Sequence, residues 1–365
     1  MPNPTLITGG GTGGHVYPAL SVIPHLLDRP SSAPETGKAG LIYIGNSAGL
    51  EQSLVSRDGI HAHFFSMAPP YSARGLALLA LATVRTLGLL LRSRPRVSFA
   101  TGGYVSVPAV IASWLLRVPV VIFLPDVKPG RAVRALLPFA RRIAVSTDAG
   151  LAQLGTRKGR LTGYPLREAF IDLDKGKARR RLNLPLDAKV VCVFGGSQGA
   201  RNLNRALAAC LATLLERAYV IHLAGEALLP EAEAASSELS SKLRSHYRLY
   251  PYLADDDMAA ALAASDLAVC RSGASVLGEL PITGTPAILV PLPEGRVHQR
   301  ENAEYLASRG AAIILPDAEL DRLCEEVESL LGDDAKLSEM GSASAALSRP
   351  FAARDLAAVI EEACS

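Results

Sequence analysis

Aromatic residues make up only 5% of this 365-residue chain, with a single tryptophan, and cysteine is scarce at five positions. Cys192, Cys210, Cys270, Cys324 and Cys364 form no C-x-x-C pair and no zinc-type spacing, so neither a disulfide framework nor a zinc site is expected. Three of them fall in apolar strand or helix patterns and read as buried free thiols of a reducing compartment. Charge of one sign is also lacking. Thirty-eight Lys and Arg face 35 Asp and Glu, a formal +3, which removes any global argument for nucleic acid. The N-terminus shows no basic segment leading into a signal-type apolar run, and about 20 uninterrupted apolar residues occur nowhere. The expectation is a cytoplasmic protein without a membrane-crossing helix.

One absence is local. From Gly59 through Pro125 there is no Asp or Glu, while six arginines occur. Within that stretch Leu76–Leu91 is almost wholly apolar and flanked by Arg74, Arg92, Arg94 and Arg96. Sixteen residues of helix span only about 24 Å, short of a ~30 Å hydrocarbon core. An apolar helix ringed by arginines and free of acids suits a peripheral membrane patch; the competing reading is a core helix with solvated ends.

What is present begins at residue 5. Thr5–Thr8 reads as a buried strand, followed by Gly9-Gly10-Gly11-Thr12-Gly13-Gly14 and a helix opening near His15. A strand running through glycines into a helix start brings backbone N–H groups close to an anionic or polyhydroxyl ligand. The loop lacks the Lys-Ser/Thr ending of a P-loop and does not match a dinucleotide fingerprint. His15 beside it is a candidate general base.

Further strands at 41–45, 97–101 and 118–124 alternate with helical patterns, which predicts βαβ units in a parallel sheet with ligand loops beyond the strands' carboxyl ends. Near Gly163–Arg167 the alternation pauses and a charged stretch follows, placing a domain boundary there: residues 1–163 with a returning C-terminal helix at 349–365, and residues 164–348. The second half restarts with strand 190–194 and Gly195-Gly196-Ser197-Gln198-Gly199, repeating the opening logic. The whole predicts two Rossmann-like α/β domains with parallel sheets facing a central cleft. Residues 230–243 read as one exposed helix with Pro at its start. The triple Asp255-Asp256-Asp257 reads as a helix cap in preference to a Mg²⁺ site. Ser272-Gly273-Ala274 offers helix-start N–H donors for a phosphate, and Glu279 one turn on can accept from a ribose diol. His298, Gln299 and Asn302 suit sugar hydroxyls.

These motifs, Gly10–His15, Gly102-Gly103-Tyr104-Val105-Ser106, Gly195–Ala200, Asp256–Ala259, Cys270–Ala274 and Gln299–Ala303, stand in the order of one family. The chain resembles the MurG family of bacterial transferases, which adds N-acetylglucosamine to the undecaprenyl-linked muramyl-peptide precursor of peptidoglycan. The resemblance spans essentially the whole chain. It implies a GT-B fold, an inverting transfer from UDP-N-acetylglucosamine, and peripheral attachment to the cytoplasmic face of the membrane; the residues themselves display no metal site, and no cofactor is expected. Carried over by position, Ser197 with Gln198 and Gly199, and Ser272, Gly273 and Ala274, hold the pyrophosphate. Glu279 takes the ribose, Arg167 lies near the uridine, and Tyr252 and Leu253 meet the uracil. His298, Gln299 and Asn302 address the donor sugar. Thr12, Gly13, Gly14 and Tyr104 face the acceptor, with His15 as base and Asp126 as the second candidate.

Departures concentrate in the first half. Where better-known members read His-Glu-Gln-Asn, this chain has Phe123-Leu124-Pro125-Asp126; Tyr164 stands for the usual Asn, His298 for a Gln, and the Thr expected near Ser275-Val276 is missing. A transferase with another UDP-sugar or acceptor, a UDP-sugar epimerase of the same fold, and a non-catalytic nucleotide binder are the alternatives.

Overall fold

Continuous apolar runs such as Val190–Phe194 form strands here because a parallel sheet covered by helices buries both faces of each strand; all five of these residues are buried. The computed structural model describes residues 3–11, 13–27, 40–48, 50–57, 59–171, 173–196, 198–293 and 298–364, and the elements given below are those of these residues. The chain divides into two units, Met1–Leu166 with Phe351–Ser365, and Arg167–Pro350.

The first unit carries strands β1 (Thr5–Thr8), β2 (Leu41–Asn46), β3 (Ala62–Phe65), β4 (Val97–Ala100), β5 (Val120–Leu124), β6 (Arg142–Val145) and β7 (Gly159–Leu161). Its helices are α1 (Gly13–Leu27), α2 (Leu50–Arg57), α3 (Ala73–Ser93), α4 (Val107–Leu115), α5 (Arg131–Leu136) and α6 (Asp148–Leu154). The sheet is parallel throughout, in the order β3-β2-β1-β4-β5-β6-β7. The order reverses between β1 and β4, and such a switch point opens a crevice outside the carboxyl ends of the strands. The Gly9 loop leaves β1 and the Gly102-Gly103 turn leaves β4, so both border it.

The second unit carries β8 (Val190–Phe194), β9 (Tyr219–Leu223), β10 (Tyr247–Tyr250), β11 (Leu267–Cys270), β12 (Ala287–Leu289) and β13 (Ala312–Ile314). Its helices are α7 (Lys175–Arg181), α8 (Arg201–Leu215), α9 (Leu229–Ser237), α10 (Ser241–His246), α11 (Asp255–Ala264), α12 (Val276–Thr283), α13 (Gln299–Ala307), α14 (Leu323–Leu331) and α15 (Asp334–Ala346). The order β10-β9-β8-β11-β12-β13 again reverses after the first strand, between β8 and β11. Each half is thus a doubly wound α/β domain.

The last helix, α16 (Ala352–Glu362), belongs to the first unit and packs on α1. Arg96 grips Glu361 through two bonds of 2.8 and 2.5 Å, and Arg142 and Arg160 reach Glu362 at 2.9 and 3.5 Å.

Three local expectations need correction. Residues 230–243 are not one helix; α9 ends at Ser237 and α10 restarts after Ser240, whose side chain accepts from the Leu243 N–H. At α11 the cap position is Ala254, without a side-chain cap, and Asp257 and Asp256 instead pair with Arg181 at 2.9 and 3.8 Å. The apolar segment at 76–91 is part of a longer helix. With 21 residues α3 spans about 32 Å and is long and apolar enough to cross a membrane by length and composition.

Burial gives α3 another character. Gly75, Leu79, Ala82, Thr86 and Leu90 recur at helical spacing and are buried, and the helix packs along α4. Ser72 caps its start by accepting from the Gly75 N–H at 3.1 Å, and Arg94, at φ 47°, closes its end. Its outer face leaves Leu76 57%, Leu81 48%, Val84 66% and Leu91 58% exposed, beside the exposed Arg74, Arg85 and Arg92. Trp114 and Leu115 at the end of α4 are exposed as well.

Candidate functional site

In the first unit the β1 and β4 loops lock together around His15. The imidazole Nδ1 lies 2.7 Å from the Thr101 carbonyl oxygen. A carbonyl only accepts, so Nδ1 carries the proton and Nε2 keeps a lone pair, the tautomer a general base needs. In return Thr101 Oγ1 donates to the His15 carbonyl oxygen at 2.5 Å. Glycine is required on both sides of this contact. A Cβ on Gly102 (φ 109°) would lie 3.0 Å from the imidazole, and one on Gly9 would lie 1.8 Å from Thr101 Oγ1. His15 is half-buried, as are Gly13 and Gly14 at the start of α1. Thr12 lies outside the described residues.

Asp126 is half-buried just beyond β5, one strand past β4 on the same edge of the sheet. Two of the family departures prove to be neighbours. Phe123 on β5 and Tyr164 pack edge to face with ring centroids 6.0 Å apart, both deeply buried. The Tyr164 hydroxyl donates to the Gly14 carbonyl oxygen at 3.3 Å, so the replacement residue braces the loop ahead of His15.

Sequence reasoning missed what lies under the Gly9 loop. Glu51, fully buried on α2, accepts from the Asn46 N–H at 3.1 Å and the Gly11 N–H at 3.5 Å. Tyr43 donates to the Gly9 carbonyl oxygen at 2.5 Å. Burial, then the Glu51 charge, push the Tyr43 phenol above its ordinary range. A glutamate so far along the chain from Gly9 carries no spacing signal; parallel pairing of β1 and β2 brings it there.

In the second unit the β8 and β11 loops occupy the equivalent edge. Gly196 (φ 87°) and Gly199 (φ 73°) turn the first loop, and a Cβ on Gly199 would lie 2.1 Å from the Ala224 carbonyl oxygen. Gln198 is exposed, and Ser197 lies outside the described residues. Behind the loop stands another unread network. His222 Nε2 donates to Asn204 Oδ1 at 3.2 Å, Tyr247 donates to His222 Nδ1 at 2.6 Å, and Asn204 Nδ2 donates to Ala224 O at 2.9 Å.

After β11, Arg271 is buried against Asp317 at 2.6 Å and donates to the Val290 carbonyl oxygen at 3.1 Å. Ser272 is fully buried and its hydroxyl donates to Gln299 O at 2.7 Å. Asn302, also fully buried, donates from Nδ2 to Ser272 O at 3.1 Å, and Gln299 Oε1 accepts from the Leu292 N–H at 3.0 Å. These three side chains bind the turn together, so the turn's outward groups are the backbone of Gly273 and Ala274, both half-buried. Nothing lies within 4 Å of where a Gly273 Cβ would stand. His298 is half-buried at the mouth of α13.

Glu279 sits one turn into α12. Desolvation raises its carboxyl above the ordinary range, while the Arg167 charge and the Ser275 hydroxyl pull it back. Arg167, expected near the uridine, and Glu279, expected on its ribose, are electrostatic neighbours. Tyr252 is exposed and Leu253 buried just past β10. Among the described residues no three His, Cys, Asp or Glu gather as a metal site.

Residues 5–145 match the description "Glycosyltransferase family 28 N-terminal domain", and residues 190–356 match "Glycosyltransferase family 28 C-terminal domain". The chain belongs to glycosyltransferase family 28. A relative from Roseiflexus sp. (strain RS-1) is 38% identical, covering 97% of this chain and 94% of its own. That relative is called UDP-N-acetylglucosamine--N-acetylmuramyl-(pentapeptide) pyrophosphoryl-undecaprenol N-acetylglucosamine transferase. Among solved structures, Acinetobacter baumannii MurG superposes with TM-score 0.75 at 23% identity, covering 99% of this chain and 100% of that one. UDP-GlcNAc 2-epimerase from Neisseria meningitidis superposes with TM-score 0.70 at 14% identity, covering 98% and 100%. At these identities the two structures speak for the shared GT-B fold alone; the near-full-length sequence identity is what separates transferase from epimerase.

Proposed function

We infer that this chain is an inverting N-acetylglucosaminyltransferase that moves N-acetylglucosamine from UDP-N-acetylglucosamine to an undecaprenyl-pyrophosphoryl-N-acetylmuramoyl-peptide, a step of peptidoglycan synthesis. The observation that carries this reading is the 38% identity over 97% of the chain to a transferase of that name. The second unit takes the donor. Backbone N–H groups at the Gly195–Gly199 loop and the Gly273-Ala274 turn meet the diphosphate, Glu279 meets the ribose, and Arg167, Tyr252 and Leu253 surround the base. His298 and the amide nitrogen of Gln299, whose oxygen is held by the Leu292 N–H, address the sugar at the start of α13.

The first unit takes the acceptor at the Gly9 and Gly102 loops. Gly13, Gly14 and Tyr104 lie along that edge, and with Thr12 they are the residues assigned to the acceptor. The acceptor hydroxyl attacks the anomeric carbon, the bond from that carbon to UDP breaks, and the hydroxyl proton passes to His15 Nε2. The Thr101 carbonyl keeps the imidazole in the receptive tautomer. Asp126 is the second candidate for the proton. Charge developing on the UDP oxygens meets helix-start N–H donors, each favourable by up to ~2 kcal/mol when partly buried.

The exposed apolar face of α3, ringed by arginines, supports peripheral attachment to the cytoplasmic face of the membrane, where a lipid-linked acceptor resides. Incubation with UDP-N-acetylglucosamine, with and without the lipid-linked muramyl acceptor, tests the whole reading. UDP release that depends on the acceptor supports it. Conversion without acceptor identifies an epimerase, and binding without turnover a non-catalytic protein; either result rejects the transferase.

A further inference from the structure

The buried groups beneath the Gly9 loop form a chain with a definite polarity. At its inner end is Glu51, fully buried, with its two oxygens on the N–H groups of Asn46 and Gly11. A Cβ on Gly10 would lie 2.2 Å from Glu51 Oε1, so the loop is wrapped directly onto the carboxylate. The next link is the Asn46 side chain. Its Oδ1 accepts from the Met67 N–H at 3.1 Å and from the Ala48 N–H at 3.5 Å. Those two donors settle which end of the amide is oxygen. The nitrogen therefore faces Tyr104, with Nδ2 3.2 Å from the phenol oxygen.

An amide nitrogen can only donate, so the Tyr104 oxygen accepts from Asn46 and its own proton must point elsewhere. Tyr104 is half-buried, it follows the Gly102-Gly103 turn, and its ring lies 3.8 Å from the position of a Gly11 Cβ. The phenol proton is thus left for a partner other than Asn46, on a ring that borders the exposed Gly11. Desolvation raises the phenol above its ordinary range and the Glu51 charge adds to this, against the opposing bond from Asn46. Both effects keep the proton in place.

We propose that Glu51 and Asn46 are positioning residues that hold Tyr104 as a hydrogen-bond donor to the anionic diphosphate of the acceptor. This rests on the acceptor reading above. The polarity matters because a phosphate oxygen only accepts. A Tyr104 whose proton were turned inward would present its own lone pair to an anion and repel it.

The experiment reverses one bond. Asn46→Asp keeps the size and an oxygen for the Met67 N–H, but makes the atom facing Tyr104 an acceptor. Asn46→Asp and Tyr104→Phe should each raise the KM for the lipid-linked acceptor about tenfold or more, with the KM for UDP-N-acetylglucosamine unchanged. The double variant should be no worse than either single one. If the new carboxylate acts only through its charge, its effect persists in the Tyr104→Phe background and the two penalties multiply, which overturns the proposal. An unchanged acceptor KM in both single variants overturns it too.

A second readout needs no turnover. The ultraviolet titration of Tyr104, taken as the protein minus Tyr104→Phe, should move to lower pH in Glu51→Gln. An unmoved titration removes Glu51 from the chain of influence. If the unaltered protein transfers nothing to the acceptor, the functional reading falls, while this titration still decides whether the Glu51 charge acts on Tyr104.

Discussion

The Nδ1 atom of His15 is held 2.7 Å from the carbonyl oxygen of Thr101, and Thr101 Oγ1 is bonded back to the carbonyl oxygen of His15. Two loops from adjacent strands are thereby joined, and the imidazole is left with Nε2 as its basic atom. His15→Ala should lower turnover by about 100-fold or more while leaving UDP affinity within about twofold, because the proposed nucleotide site belongs to the other unit. Steady-state kinetics with calorimetric UDP titration check this. Full turnover in the variant would falsify the assignment of His15 as base.

Glu279→Ala should act in the opposite sense. Losing a carboxylate proposed to accept from ribose hydroxyls should weaken donor binding about tenfold, with little change in acceptor KM. A donor KM equal to that of the unaltered protein would remove Glu279 from the ribose.

The buried network at His222 predicts a pH dependence of stability. Burial lowers the imidazole from 6.5 to about 4. Between those values the unfolded chain binds a proton that the folded chain does not, so stability rises with pH across this window and is complete above 6.5. Acidification from neutral pH to the lower end of that window should remove about 3 kcal/mol through this residue. Denaturant unfolding of the protein and of His222→Gln at both pH values isolates the contribution. Parallel pH profiles for the two proteins would show that His222 titrates normally.

Tyr164→Phe deletes one hydroxyl from a buried site and leaves the contact with Phe123 in place. It should cost about 1 kcal/mol of stability, since the Gly14 carbonyl loses its donor. Thermal unfolding measures this, and an unshifted midpoint would count against the brace.

The outer face of α3 predicts vesicle binding that salt weakens. Leu76→Gln with Leu91→Gln should reduce binding to anionic vesicles at low salt while changing stability by no more than about 0.5 kcal/mol, both residues being exposed. Sedimentation with vesicles checks the first and denaturant unfolding the second. Undiminished sedimentation of the double variant would exclude this face.

Much of this protein follows from local sequence. Short apolar runs leading into glycine, such as Val190–Phe194, read as buried parallel strands because they are β-branched-rich and carry no polar side chain for a solvent face. Their glycine loops are legible for the same local reason: the backbone needs positive φ at Gly11, Gly196 and Gly199. What depends on distant pairing was not legible. Glu51 reaches the Gly9 loop only because β1 pairs with β2, and His222 reaches Asn204 only because β8 pairs with β9. Ser272, Gln299 and Asn302 read as ligand groups by type, yet the hydrogen bonds that tie them together exist only once β11 and α13 are side by side. Two doubly wound halves, and the glycine loops at the carboxyl ends of their strands, were therefore written in the pattern of residues. Which polar groups face outward and which are spent holding the loops was settled by the folded arrangement, because hydrogen-bond direction depends on partners brought together from far along the chain.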